Sequence, residues 1–155
     1  MQENFILNER SVSQNPAIEV LKKMGYTYLS REECAALRDN PFGVLLKPIL
    51  RIQLEKLNSF EYGGEKRSFS DANILRAVEE LDESLTDGLI KTSEKIYDAL
   101  MLGKSYAEQT KDGTIKSFNL KYIDWDNPEN NVFHVTEEFL VESWDGLHNA
   151  RPDIV

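Results

Sequence analysis

The residues that could do chemistry are few, and the most suggestive stand together at Arg151-Pro152-Asp153-Ile154-Val155. A carboxylate at the head of an apolar, β-branched run sits where a strand begins, on backbone rigid enough to hold it. Carboxylate oxygens are the ligands that hard cations such as Mg2+ prefer. A cation held there polarises a phosphodiester and lowers the pKa of an attacking water. Taken alone, the Pro-Asp pair is common, and a capped strand start is the better local explanation.

The other candidates carry less. His134 and His148 are the two histidines. His134 and Glu137 lie three apart on an expected strand, so they face opposite sides and read as structural or surface residues. His148 is close to Asp153 in sequence, but in a loop. Asp124-x-Asp126 fails as a calcium loop, because Glu129 stands where glycine is needed and Val135 where the bidentate Glu belongs. Cys34 has no Cys or His partner nearby and reads as a small buried hydrophobe. No glycine-rich phosphate loop is present, so this stretch is not expected to bind ATP. Lys111, Lys116 and Lys121 could touch phosphate, although a solvated strand face explains them better.

The elements that must position these residues begin with a polar stretch, 1–12, expected to be a tail or edge segment. Asn15-Pro16 opens a helix, with Asn15 as the cap, and Gly25 closes it. Ser30-Arg31-Glu32-Glu33 has capping-box spacing, with a helix to about Arg38. Asn40-Pro41-Phe42-Gly43 breaks it. Val44–Leu57 is apolar at helical intervals. Gly63-Gly64 with Glu65-Lys66-Arg67 reads as a mobile loop. Ser70 caps a helix whose stripe is Ile74, Leu75, Val78 and Leu81. After an interruption at Asp87-Gly88, a helix over about 89–102 is expected to turn Leu89, Ile90, Ile96, Tyr97, Leu100 and Met101 inward and to end at Gly103.

The period then changes to two. Lys111-Asp112-Gly113-Thr114 is a turn, Phe118–Trp125 a strand and Val132–Val141 a second strand, paired as an antiparallel hairpin across the polar connector 126–131. Ile154-Val155 reads as the first residues of a third, buried strand. The chain is therefore expected to be a fragment whose strand continues elsewhere. Helices first and strands last give α+β.

At 155 residues with 41% hydrophobic and 29% charged positions, the chain has a globular composition. No apolar run approaches the ~20 residues of a membrane span, and no signal-peptide pattern opens the chain. With one cysteine no internal disulfide forms, which suits a cytoplasmic protein. The net charge of −9 argues against DNA binding by this stretch alone, because phosphate neutralisation needs a basic surface. A protein that gathers carboxylates around a metal weakens that argument, since other domains can supply the basic groove.

The order of these features resembles the front part of the nuclease domain of type I restriction enzyme R subunits. The matching residues are Asp87-Gly88-Leu89 opening a helix and Gly103 closing it, Asp112-Gly113, and Tyr122-Ile123-Asp124. Asn127-Pro128, Asn131-Val132-Phe133, Val135-Thr136 and Arg151-Pro152-Asp153-Ile154-Val155 follow. The likeness is dense over Asp87–Val155, thinner at Ile18–Ser30 with Leu21 and Gly25-Tyr26, and between these mainly a matter of helices. No single motif is specific, but order and spacing together are.

The resemblance implies an incomplete restriction-endonuclease-like core over 13–155, stopping before the family's Glu-x-Lys strand. In the PD-(D/E)XK signature that strand supplies the second acid and the lysine, so Asp153 alone carries over as a Mg2+ ligand and catalytic residue. The family's first helix often begins with acidic residues. This chain has Gln14 there, and nearby Glu19 reads as solvated. The implied parent is a cytoplasmic, ATP-dependent type I site-specific deoxyribonuclease that works on DNA with methyltransferase and specificity subunits, its ATP-binding motor lying outside this stretch. The 155 residues alone are expected not to cut DNA. The alternative is a non-catalytic, acidic helical module that docks a basic partner.

Overall fold

A computed structural model describes residues 13–41, 43–82, 88–143 and 146–155. The expected tail at 1–12, Phe42 of the helix-breaking turn and Asp87 of the helix interruption lie outside the described residues. The fold class is α+β, and the chain divides into two compact units. Among the described residues no helix is long and apolar enough to cross a membrane.

The first unit combines the described residues up to Leu46 with Val132–Val155. Helix α1 (Asn15–Lys23) has Gln14, not Asn15, at its N-cap, and no side chain caps it. Its other end follows sequence chemistry. Gly25 takes φ +99°, while the Gly25 and Tyr26 N–H groups bond back to Lys22 O and Leu21 O, both at 3.1 Å. The expected capping box opens α2 (Arg31–Ala36): Glu33 N–H donates to Ser30 Oγ at 3.2 Å, and Ser30 N–H to Glu33 Oε2 at 2.7 Å.

Strand β1 (Thr27–Tyr28) pairs in parallel with β6 (His134–Val135). On the other side of the same segment, an antiparallel bridge joins Glu137 to Ile154. Strands β7 (Val141–Glu142) and β8 (Asn149–Ala150) continue that ribbon in the same register. Residues 133–142 are thus the middle of a small mixed sheet. Ile18, Cys34, Val135 and Phe139 are buried in this unit.

The second unit, Lys47–Asn131, holds α3 (Lys47–Leu57), β2 (Phe60–Tyr62), β3 (Glu65–Arg67), α4 (Asp71–Leu81), α5 (Leu89–Leu102), β4 (Lys104–Gln109) and β5 (Ile115–Leu120). Its core joins Leu54, Phe60, Phe69, Ile74, Ala77, Val78, Tyr106, Leu120 and Tyr122.

Three expectations change here. The hairpin expected between 118–125 and 132–141 does not form. β5 pairs antiparallel with β4 across the Asp112-Gly113 turn, from Lys104↔Leu120 to Gln109↔Ile115. A short turn closes that pair at little entropic cost, so the strand before the turn competes better than one beyond a polar connector. Second, residues 63–67 are not a loose loop. Gly63 and Gly64, at φ +60° and +78°, form the tight turn of a β2–β3 hairpin. Third, α5 turns Thr92 inward and leaves Leu89, Ile90, Tyr97 and Met101 exposed, with Ile96 and Leu100 half-buried.

Gly103 links α5 to β4 at φ +73°, where an added Cβ would lie 2.4 Å from Leu120 O. Only glycine fits there.

Candidate functional site

Asp153 lies at the open end of the ribbon, and its backbone is tied down from two directions. Next to it, Thr136 and Val155 exchange both of their N–H···O bonds, at 2.9 and 3.0 Å. The Asp153 carbonyl accepts the Glu138 N–H at 3.1 Å. It also accepts the Gln14 side-chain amide at 3.0 Å. One oxygen therefore joins a sheet contact to a helix contact. The side chain itself is exposed, and among the described residues no hydrogen bond or ion pair engages it.

The neighbouring carboxylates each have a partner within the protein. Glu138, with the unusual φ of 48°, pairs with Arg31 at 2.6 Å and with Arg151 at 3.7 Å. Glu137 is buried and accepts the Tyr28 hydroxyl at 3.3 Å. It pairs with Ile154, one position from Asp153, so strand alternation sends the two side chains to opposite faces.

Among the described residues no group of three His, Cys, Asp or Glu is arranged to hold a metal ion. The fit to Mg2+ is therefore that of one ligand: an unengaged hard oxygen donor on fixed backbone. A cleft of about 640 Å³, lined in part by Cys34, Arg38 and Phe139, reaches Glu138 and Arg151 but not Asp153. Arg38 serves the structure there. It donates to Leu140 O at 2.6 Å and to Pro41 O, and stacks 4.5 Å from the Phe139 ring centre.

The other sequence candidates have structural partners. His148 sits at the turn of the ribbon, its N–H on Ser143 Oγ at 3.0 Å. Lys111 pairs with Glu65, Lys116 lies 4.7 Å over the Tyr62 ring, and Lys121 pairs with Asp124 at 2.9 Å. Glu19 is exposed and paired with Lys22 at 2.7 Å. Cys34 is buried as a free thiol.

Asp124, Asn127-Pro128 and Asn131 turn out to be one knot. The Asp124 carboxylate accepts from Asn130 Nδ2 at 2.9 Å, Lys121 Nζ at 2.9 Å and Asn127 N–H at 3.3 Å. The Asn131 side chain returns both favours to the Asp124 backbone, taking its N–H at 2.9 Å and donating to its carbonyl at 2.9 Å. These donors, Asn130 foremost, hold the Asp124 carboxyl down to about 2 from the ordinary 3.8. The knot fastens a loop and engages both oxygens of that carboxylate.

Sequence reasoning missed Gln14. It registered as a missing acid, and nothing local says that its amide reaches a carbonyl 139 positions away.

A family model described as type I restriction enzyme R protein N terminus matches residues 6–155. No curated protein matches the chain, and no solved structure does.

Proposed function

Since this chain belongs to the type I restriction enzyme R protein N-terminus family, we propose that it forms the leading part of that subunit's Mg2+-dependent DNA-cleaving domain, with Asp153 as one metal ligand. The observation carrying this reading is the contrast at the ribbon end. Asp153 keeps an exposed, unengaged carboxylate on doubly anchored backbone, while Glu137 and Glu138 beside it are engaged. A ligand held by the backbone on both sides loses little freedom when it binds, which favours binding.

Bound Mg2+ supplies the polarisation of the phosphodiester and the activated water. The chain's own part is to hold that cation through Asp153. Arg31 and Arg151 screen the charge of Glu138 opposite, which limits carboxylate repulsion when DNA phosphate approaches. Among the described residues no group of three possible ligands gathers at Asp153, and the Glu138 carboxylate is committed to Arg31 and Arg151. The parent reading is an R subunit whose motor hydrolyses ATP and which acts in the cytoplasm with methyltransferase and specificity subunits.

The test is Asp153→Ala in an R subunit carrying this region. DNA cleavage should fall at least about a hundredfold while ATP hydrolysis persists. These 155 residues alone should leave DNA intact in Mg2+. Cleavage by the variant at the parental rate would end the proposal. The net charge of −9 favours a second reading, an acidic module that docks a basic partner. That reading predicts the opposite result: cleavage unchanged by Asp153→Ala, with assembly of the complex weakened by charge reversal on the helices.

A further inference from the structure

Gln14 occupies an unusual position for a buried glutamine. It is the N-cap of α1, where a polar side chain normally satisfies the helix's own N–H groups, yet it makes no such bond. It is 7% exposed, and its amide nitrogen is committed to the Asp153 carbonyl. A carbonyl oxygen has two lone pairs, and at Asp153 one receives the Glu138 N–H and the other the Gln14 amide. With both filled, the peptide plane after Asp153 is set by the sheet on one side and by α1 on the other. Pro152 restricts the backbone just before it. The direction of the Asp153 Cα–Cβ bond follows from these restraints.

We propose that Gln14 is a positioning residue for Asp153: it orients the carboxylate toward a divalent cation through the backbone, without touching the cation. This rests on the reading of Asp153 as a metal ligand. Partners that orient a metal ligand typically change metal affinity 10–100-fold when removed, and that sets the size of the expected effect.

The experiment uses Mn2+ as a paramagnetic stand-in for Mg2+ and follows the broadening of the Ile154 and Val155 amide signals in the 155-residue chain. Two variants divide the explanations. Gln14→Met keeps the shape and removes the donor. Gln14→Glu removes the donor and adds a carboxylate. A positioning role predicts that both need about tenfold more Mn2+ for the same broadening. A direct ligand role predicts that Gln14→Glu needs less Mn2+ than the parent, and this overturns the proposal. A purely architectural role predicts lower unfolding midpoints for both with an unchanged Mn2+ response, and this overturns it too.

Should the variants fail to fold, the parent chain still decides. Its Gln14 side-chain amide protons should exchange with solvent at least about tenfold more slowly than those of an exposed glutamine. Free exchange means there is no tie to Asp153. Asp153→Ala separates the two levels of the argument. If broadening at Ile154 and Val155 survives that change, the metal reading of Asp153 itself is wrong. If it vanishes while both Gln14 variants respond like the parent, only the role of Gln14 is wrong.

Discussion

Asp124 and Asp153 both lie outside the regular strands, and both belong to the pattern by which the sequence resembles its family. Their surroundings are opposite. Asp124 is 3% exposed, and its carboxylate is filled by two asparagines and a lysine. Asp153 is exposed, with its backbone held and its carboxylate left open. A carboxylate that spends its lone pairs on the protein's own donors stabilises a loop. One whose backbone alone is restrained keeps those lone pairs for something else. The difference between the two aspartates is therefore a matter of which atoms are satisfied.

The sharpest way to break this contrast is to remove each carboxylate and compare stability. Asp124→Ala removes the acceptor of the Asn130 side-chain amide, the Asn127 N–H and the Lys121 ammonium and frees the loop. The melting temperature should fall by on the order of 10 °C. Asp153→Ala removes no bond among the described residues, and the melting temperature should move by no more than about 1 °C. Calorimetry on the two variants checks this. Equal shifts would mean that the two sites are not different in kind.

What the sequence could show of this contrast was uneven, for a physical reason. Features set by neighbours along the chain were legible: the Gly25 stop, the Ser30 and Ser70 caps and the Asp112-Gly113 turn each depend on a few adjacent residues. Features set by distant partners were not. Periodicity located an extended stretch near Phe118 but could not name its partner. Nothing near Thr27 indicates that it pairs in parallel with His134. The apolar spacing of α5 predicted a buried stripe, but spacing counts apolar residues without supplying a surface to cover them, and Ile90 and Tyr97 remain exposed. Asp153 was visible only through the resemblance, since a Pro-Asp pair has no local specificity. The knot at Asp124 was visible as a motif while its purpose was not, because the geometry of four side chains and a backbone N–H cannot be read from their order.

Acid offers a second, smaller test on the buried side of the comparison. The Asp124 carboxyl is lowered from 3.8 to about 2 by its donors. Burial raises that of Glu80, but Lys104, Tyr106 and Arg76 outweigh it and bring Glu80 from 4.5 to about 2. Folded values below the unfolded ones mean that these groups bind protons more readily in the unfolded chain. Their stabilisation is complete above about pH 4.5 and is lost as pH falls toward 2. Urea midpoints should fall through that window. Asp124→Asn, which does not titrate, should lower the midpoint at pH 6 and flatten its decline between pH 4 and pH 2. A decline as steep as the parent's would show that Asp124 is not held by these donors in solution.

The smallest expected effect asks whether charge or hydrogen bonding makes Asp124 structural. Lys121 is the one cation in the knot, and its side chain is 40% exposed at 2.9 Å from the carboxylate. Ion pairs that reach into solvent contribute little, because water screens them and holding a long side chain costs entropy. The amide donors from Asn127 and Asn130 sit on short, turn-fixed segments and give up less freedom to bond the carboxylate. Lys121→Ala should therefore lower the melting temperature by only about 1–2 °C, and added salt should leave that difference nearly unchanged. Asn130→Ala should cost several times more, since it leaves a buried carboxylate oxygen short of its nearest amide donor. If instead the lysine change costs as much as the asparagine change, the knot is electrostatic. Asp124 would then be held as any surface carboxylate is by a passing cation, and its difference from Asp153 would be one of degree.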